Sequence, residues 1–102
     1  KLVLVLGHTS CGAVKGAIAG VELDHLTGLL KKISPAVVDV CGAPSADEAS
    51  PDVVDAVARR NVERVLSEMR ARSSILAELE AAGGIRICGA MYDVGAGAVE
   101  LL

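Results

Sequence analysis

Five consecutive aliphatic residues, Leu2 to Leu6, stand near the start of the chain and are followed at once by Gly7. The run has the length of a β-strand, and it lacks the alternation of apolar and polar residues that marks a strand with one face in water. It therefore predicts a strand buried on both faces, as in a parallel sheet. In α/β proteins such a strand leads through a short loop into a helix, and the chemistry lies at the carboxyl end of the strand.

The rest of the chain contains both helical and extended patterns. Small residues over 12–19 predict a helix that ends near Gly20, and the apolar spacing after Asp24 predicts a short helix stopped by Pro35. Residues 41–50 have the composition of a loop. The other expected elements are a helix from Pro51 to about Met69 with Ser50 as its N-cap, a helix over 75–82, and strands over 85–91 and 98–102. This order predicts an α/β fold, a mainly parallel β-sheet flanked by helices.

Composition restricts the class of protein. Of the 102 residues, 52% are hydrophobic, which excludes a disordered tail. Tyr92 is the single aromatic residue and the net charge is −3, so neither stacking on single-stranded nucleic acid nor general polyanion binding is expected. No apolar run reaches the roughly 20 residues that cross a bilayer, so no membrane partner is expected.

The cysteines indicate the redox compartment. Cys11, Cys41 and Cys88 are odd in number and form no C-x-x-C pair. A disulfide framework is therefore not expected, and we predict a protein of the reducing cytoplasm. Cys88, within an apolar stretch, is expected to be a small core residue, and Cys41, within the predicted loop, a free thiol.

The loop after the first strand carries His8 and Cys11, three residues apart. A neutral imidazole and a thiolate are ligands that zinc prefers, and this spacing allows both side chains to converge on one ion. If Gly12 begins a helix, the free main-chain N–H groups there favour a thiolate at Cys11. The alternative interpretation is a buried cysteine beside an unrelated histidine.

Other chemistries fit this loop less well. Gly7 and Gly12 have the spacing of a phosphate loop, but Ala13-Val14 replaces the required Lys-Ser/Thr pair. A cysteine phosphatase needs an arginine where Ala17 stands, and an esterase elbow needs a glycine where His8 stands. A cysteine–histidine hydrolase stays open, although residues so close in sequence form that pair only in an unusual loop.

The segment GHTSCGAVKGAI, residues 7–18, resembles the zinc-binding segment of the β-class carbonic anhydrases, in which a strand ends in Gly-His-x-x-Cys-Gly-Ala-Val. The later part of the chain is similar to the same family in order and spacing. The similar positions are Leu29, Ile33, Pro35-Ala36, Asn61-Val62, Ser73, Ser74, Gly84 to Ile87, Gly89-Ala90, Tyr92 to Val94, Gly97 and Val99. The similarity extends through essentially all 102 residues.

This resemblance implies a β-carbonic-anhydrase-like α/β fold and a catalytic Zn²⁺ ion, with His8 and Cys11 as two of its three protein ligands. In the family the third ligand is a cysteine of an upstream Cys-x-Asp-x-Arg motif, whose aspartate and arginine form the gating and orienting pair. Residues 1–102 lack that motif, and neither Cys41 nor Cys88 is followed by Asp and Arg at its spacing. We therefore expect one partial domain over 1–102, the carboxy-terminal portion of the family's domain, with no catalytic Asp-Arg pair of its own.

The resemblance also implies a function. The complete domain is expected to be a lyase that hydrates carbon dioxide reversibly to bicarbonate, as a homodimer or higher homo-oligomer. Two other functions stay open. One is hydrolysis of a related molecule such as carbonyl sulfide or carbon disulfide, and the other is an inactive, truncated or degenerate domain with a structural or oligomerisation role.

Overall fold

The computed structural model describes the backbone of all 102 residues and every side chain except that of Ala46. The α/β fold predicted from the sequence is confirmed, with helices packed on a sheet that contains parallel strands. Along the chain the elements are β1 (Leu2–His8), α1 (Gly12–Ala19), α2 (Asp24–Cys41), a 3₁₀ turn (Ala46–Glu48), α3 (Pro51–Arg72), α4 (Ser74–Ala81), β2 (Arg86–Asp93) and β3 (Ala98–Leu101).

The sheet has the strand order β1-β2-β3. Strands β1 and β2 are parallel, and β3 returns antiparallel to β2. The parallel register aligns Gly7 with Met91 and His8 with Tyr92. Because the carboxyl ends of parallel strands meet at one edge, the end of β2 lies directly beside the loop that follows His8.

Only one face of the sheet is covered by helices. Helix α3 packs against β1 and β2 on the face that carries Val5 and Gly7. On the opposite face Leu2, Leu4 and Leu6 are 59%, 42% and 52% exposed. The prediction that the first strand is buried on both faces is therefore wrong for this chain, because α3 covers only one face of the sheet.

Helix α2 continues through Pro35, where the sequence predicted its end. A proline inside a helix costs about 3 kcal/mol relative to alanine. The next turn carries Ala36 and Val37, which are fully buried in the core. Burying a valine side chain contributes about 1.5–3 kcal/mol, so the packing of this turn offsets most of the cost of the proline. Cys41 is consequently the last residue of a helix and does not lie in a loop.

The remaining boundaries agree closely with the sequence. Helix α3 begins at Pro51 as predicted and extends to Arg72, past the predicted end at Met69. The Ser50 side chain makes no capping hydrogen bond, whereas the Ser73 hydroxyl accepts one from the Leu76 N–H at 3.2 Å. Within the described chain, no helix is both long and apolar enough to cross a membrane.

Arginines of α3 connect this helix to its neighbours through surface ion pairs. Hydrogen bonds from these guanidinium groups hold the pKa of Asp39, Glu80 and Glu100 below the ordinary carboxyl range. The pairs are Arg60 Nε and Arg64 Nη1 with Asp39 Oδ2 at 2.8 and 3.0 Å, Arg70 Nε with Glu80 Oε1 at 2.8 Å, and Arg59 Nη2 with Glu100 Oε2 at 2.7 Å.

These ion pairs predict a loss of stability in acid. Because the three pKa values are lower in the folded chain, the folded state binds fewer protons, and the pairs stabilise it above the ordinary carboxyl pKa. The contribution is small for surface pairs and is lost as the pH falls through the lowered values. Urea unfolding between about pH 7 and pH 3 should show a falling midpoint. The triple variant Asp39→Asn, Glu80→Gln, Glu100→Gln should show a shallower fall, and equal slopes would contradict the assignment.

Candidate metal centre

His8 is the last residue of β1 and is exposed at the carboxyl end of the strand. Its ring Nδ1 lies 2.8 Å from the main-chain oxygen of Thr9. A carbonyl oxygen only accepts hydrogen bonds, so this contact assigns the proton of the neutral ring to Nδ1. The lone pair of Nε2 is left free, which is the form in which histidine binds a metal ion.

Cys11 is the N-cap residue of α1, with φ −71° and ψ 119°. Its carbonyl accepts the first hydrogen bond of the helix, from the Lys15 N–H at 3.0 Å. The thiol is free and half-buried, and the residue packs against the hydrophobic core. The start of α1 at Gly12 therefore sets the position from which this side chain projects.

His8 and Cys11 line the same cleft, which has a volume of ≈ 170 Å³. It lies beside β1 and is bounded by all three helices from α1 to α3, with Asn61 as a further polar residue. The other lining residues are Val5, Leu6, Gly7, Val14, Ile33, Ala58, Val62 and Val65. The structure thus brings together the two residues that the spacing singled out, in surroundings that are mainly aliphatic.

The loop between these two residues is held by three long-range hydrogen bonds. The Thr9 N–H donates to the Tyr92 carbonyl, and the Thr9 Oγ1 accepts from the Val94 N–H, both at 3.0 Å. The Ser10 N–H donates to Asp55 Oδ1 at 3.0 Å. Sequence reasoning missed these residues because their partners are 45 to 85 positions away. No local pattern in the sequence indicates such contacts.

The other two cysteines lie away from the cleft. Burial, and then the neighbouring Glu48 carboxylate, raise the pKa of the Cys41 thiol at the end of α2. Cys88 in β2 is aligned with Leu4 of β1 and is half-buried. It is therefore more exposed to solvent than predicted, since the sequence predicts a core residue at this position. Among the side chains that the structure describes, no three His, Cys, Asp or Glu residues form a group able to hold a metal ion.

A wider cleft of ≈ 470 Å³ lies between α3 and the β2–β3 hairpin and contains neither His8 nor Cys11. Its charged groups are largely engaged with one another or with the main chain. Arg59 pairs with Glu100 across it, and Asp93 Oδ1 accepts from two main-chain N–H groups of the following turn. We therefore place the candidate site in the smaller cleft.

The side chains of that smaller cleft include the types of ligand atom that zinc binds. Imidazole nitrogen and thiolate sulfur are both common zinc ligands, and catalytic zinc takes three protein ligands with a fourth position left open. Residues 1–102 offer two such donors in one cleft, one fewer than a catalytic zinc site needs.

Comparison with known proteins places the whole chain in one family. The family model described as carbonic anhydrase matches residues 1–99. Carbonic anhydrase 2 of Mycobacterium tuberculosis is 32% identical over 105 aligned residues, which cover 98% of this chain and 48% of that protein. The chain thus spans about half the length of the curated relatives it matches.

Solved structures agree with this result. A tetrameric β-carbonic anhydrase from Sordaria macrospora has a TM-score of 0.82 at 20% identity, covering 100% of this chain and 52% of that one, and so shows the fold. The β-carbonic anhydrase CafA of Aspergillus fumigatus has a TM-score of 0.74 at 28% identity, covering 100% of this chain and 48% of that one. The chain belongs to the carbonic anhydrase family and corresponds to the carboxy-terminal portion of its β class.

Proposed function

We propose that the complete protein hydrates carbon dioxide reversibly to bicarbonate with a bound zinc ion, and that this chain supplies two of the ion's ligands. The ligands are His8, through Nε2, and Cys11, through its thiolate. The observation that carries the proposal is their shared cleft at the carboxyl end of β1. Family membership supports carbon dioxide hydration in general.

The hydrogen bond to the Thr9 carbonyl supports the role of His8. Histidines that bind metals commonly donate their second ring N–H to a carbonyl or carboxylate, which fixes the tautomer and the orientation of the ring. The 2.8 Å contact at Nδ1 has this arrangement. It therefore prepares Nε2 as the metal-binding atom.

The third ligand, we propose, comes from a segment outside these residues. Strand β1 is at the edge of the sheet, so one row of its main-chain N–H and C=O groups has no strand partner in the described chain. A further parallel strand at this edge would end beside His8, which lines the cleft. That is a suitable position from which to supply the cysteine of a Cys-x-Asp-x-Arg motif.

The lining of the cleft suits the proposed reaction. Zinc, when bound, lowers the pKa of water and so supplies hydroxide near neutral pH. The side chains around His8 and Cys11 are mainly aliphatic, which suits carbon dioxide because it is small and apolar. Asn61 adds an amide that can donate to an oxygen of bicarbonate, and the free N–H groups at the start of α1 favour the same anion.

We further propose that the protein is a cytoplasmic homo-oligomer. Large aliphatic side chains on the open face of the sheet support association, because contiguous apolar surfaces of this kind commonly mark interfaces. Besides the three leucines of β1, Val99 and Leu101 of β3 are 57% and 72% exposed. The Sordaria macrospora relative is described as tetrameric, and three free cysteines suit a reducing compartment.

Zinc analysis and stopped-flow kinetics test the proposed function. By the full-length protein we mean residues 1–102 together with the proposed segment that supplies the third ligand. This protein, purified without chelator, should contain about one zinc ion per chain and should hydrate carbon dioxide. Residues 1–102 alone should lose most of this activity because they lack a third ligand. Zinc-loaded full-length protein that hydrates no carbon dioxide would contradict the activity, and turnover of carbonyl sulfide or carbon disulfide by that sample would favour hydrolysis instead. Equal activity of residues 1–102 would contradict the external ligand.

A further inference from the structure

We propose that Asp55 is a positioning residue for the metal-binding loop and acts through the main chain of Ser10. The inference rests on the proposed function, since it assigns Asp55 to the placement of the two proposed ligands. Asp55 Oδ1 accepts the Ser10 N–H at 3.0 Å. Ser10 stands between the ligands, two residues after His8 and one before Cys11.

The backbone of Ser10 explains why the loop needs this contact. Its φ is 55°, in the left-handed region that residues other than glycine rarely adopt. A conformation of this kind persists when surrounding contacts determine it. The hydrogen bond that the Ser10 N–H donates to Asp55 Oδ1 is such a contact, and a charged acceptor makes it stronger than a neutral one.

Asp55 is itself held firmly. It lies in the first turns of α3, where Val54, Val57 and Ala58 are 3%, 0% and 4% exposed. On the other side of the loop, Thr9 is bonded to the end of β2 and to the turn that follows it. The loop is thus hydrogen-bonded to the β2–β3 hairpin through Thr9 and to helix α3 through Ser10. Asp55 provides the contact on the α3 side.

Loss of the Asp55 acceptor should allow Ser10 to leave the left-handed region. The direction of the chain into Cys11 would then change, and the thiol would no longer be held at its position relative to the His8 ring. Because the two side chains share one cleft, this change should weaken metal binding without removing either ligand. Residues that support metal ligands typically contribute about 10- to 100-fold to metal affinity.

The test uses the full-length protein and measures zinc affinity by chelator competition, together with the thiolate charge-transfer absorption of the cobalt-substituted form. Asp55→Ala should weaken zinc binding by about 10- to 100-fold and alter the cobalt spectrum. Asp55→Asn should keep most of the affinity, because its amide oxygen accepts the same bond. Ser10→Gly in the Asp55→Ala background should recover affinity, since glycine adopts positive φ without strain. Asp52→Ala is the matched control: it removes a carboxylate of the neighbouring wide cleft that does not bond to the loop.

The outcomes separate this inference from the proposed function. If the unchanged protein binds no zinc, both fail. If it binds zinc and Asp55→Ala binds equally well, the role of Asp55 is overturned while the proposed function stands. Equal losses in Asp55→Ala and Asp55→Asn would also overturn the role, because charge and not the accepted bond would then matter. If Asp55→Ala does not fold, the Asp55→Glu variant is measured in its place. Glutamate keeps the charge but displaces the accepting carboxylate by one methylene, so this variant should bind zinc more weakly than Asp55→Asn.

Discussion

Replacing Cys11 with serine should remove zinc from the full-length protein and reduce carbon dioxide hydration to background, and His8→Ala should do the same. Each change deletes one of three proposed protein ligands, and a serine hydroxyl stays protonated where a thiol ionises on binding zinc. Changes to groups that only support a ligand already cost about 10- to 100-fold in metal affinity, so removal of a ligand itself should cost more. Elemental analysis and stopped-flow hydration on the same samples measure both effects.

The other cysteines provide matched controls for this experiment. Cys41→Ser and Cys88→Ser make the same chemical change at half-buried thiols that do not line the cleft. Both variants should retain zinc and activity. Zinc retained at full occupancy in the double variant His8→Ala, Cys11→Ser would exclude these residues as ligands. Zinc lost from either control would instead point to a ligand set different from the one proposed.

Gly89→Ala should destabilise the fold by about 1–3 kcal/mol, the usual range for overfilling a packed core. A Cβ atom at this position of β2 would lie 2.7 Å from Val62 Cγ1 and 2.9 Å from Leu66 Cδ1. Both contacts belong to α3, so the added methyl group would push that helix away from the sheet. Urea unfolding gives the free-energy difference. Because Val62 receives the closest contact, Val62→Ala should cost less in the Gly89→Ala background than in the unchanged protein.

Gly28→Ala is the control for this change and should have the opposite sign. Gly28 lies within α2, and a Cβ atom there meets nothing within 4 Å. Alanine is favoured over glycine in a helix interior, so the variant should gain about 0.5–1 kcal/mol. A neutral Gly89→Ala beside a stabilising Gly28→Ala would show that α3 does not pack as closely on β2 as described.

Local signals predicted the helices well because the relevant interactions lie within a few residues. Helix α1 ends where Gly20 adopts φ 72°, a conformation that glycine favours, and α3 begins where Pro51 occupies the first turn. Pro35 shows the limit of such signals. Its effect on α2 depends on whether the next turn is buried, and that burial depends on the packing of α1 and α3 against α2.

The features of the candidate site also separate into those that depend on local sequence and those that depend on tertiary packing. The sequence alone singled out His8 and Cys11 as candidate metal ligands and predicted that they lie between a strand and a helix, since ligand chemistry and spacing are local properties. Only the tertiary structure decided that both line one aliphatic cleft and that Asp55 supports the Ser10 main chain from α3. It also decided that one face of the first strand is open. The physical reason is that contacts between residues tens of positions apart form only when helices and strands pack. No local sequence pattern identifies the residues that make these contacts.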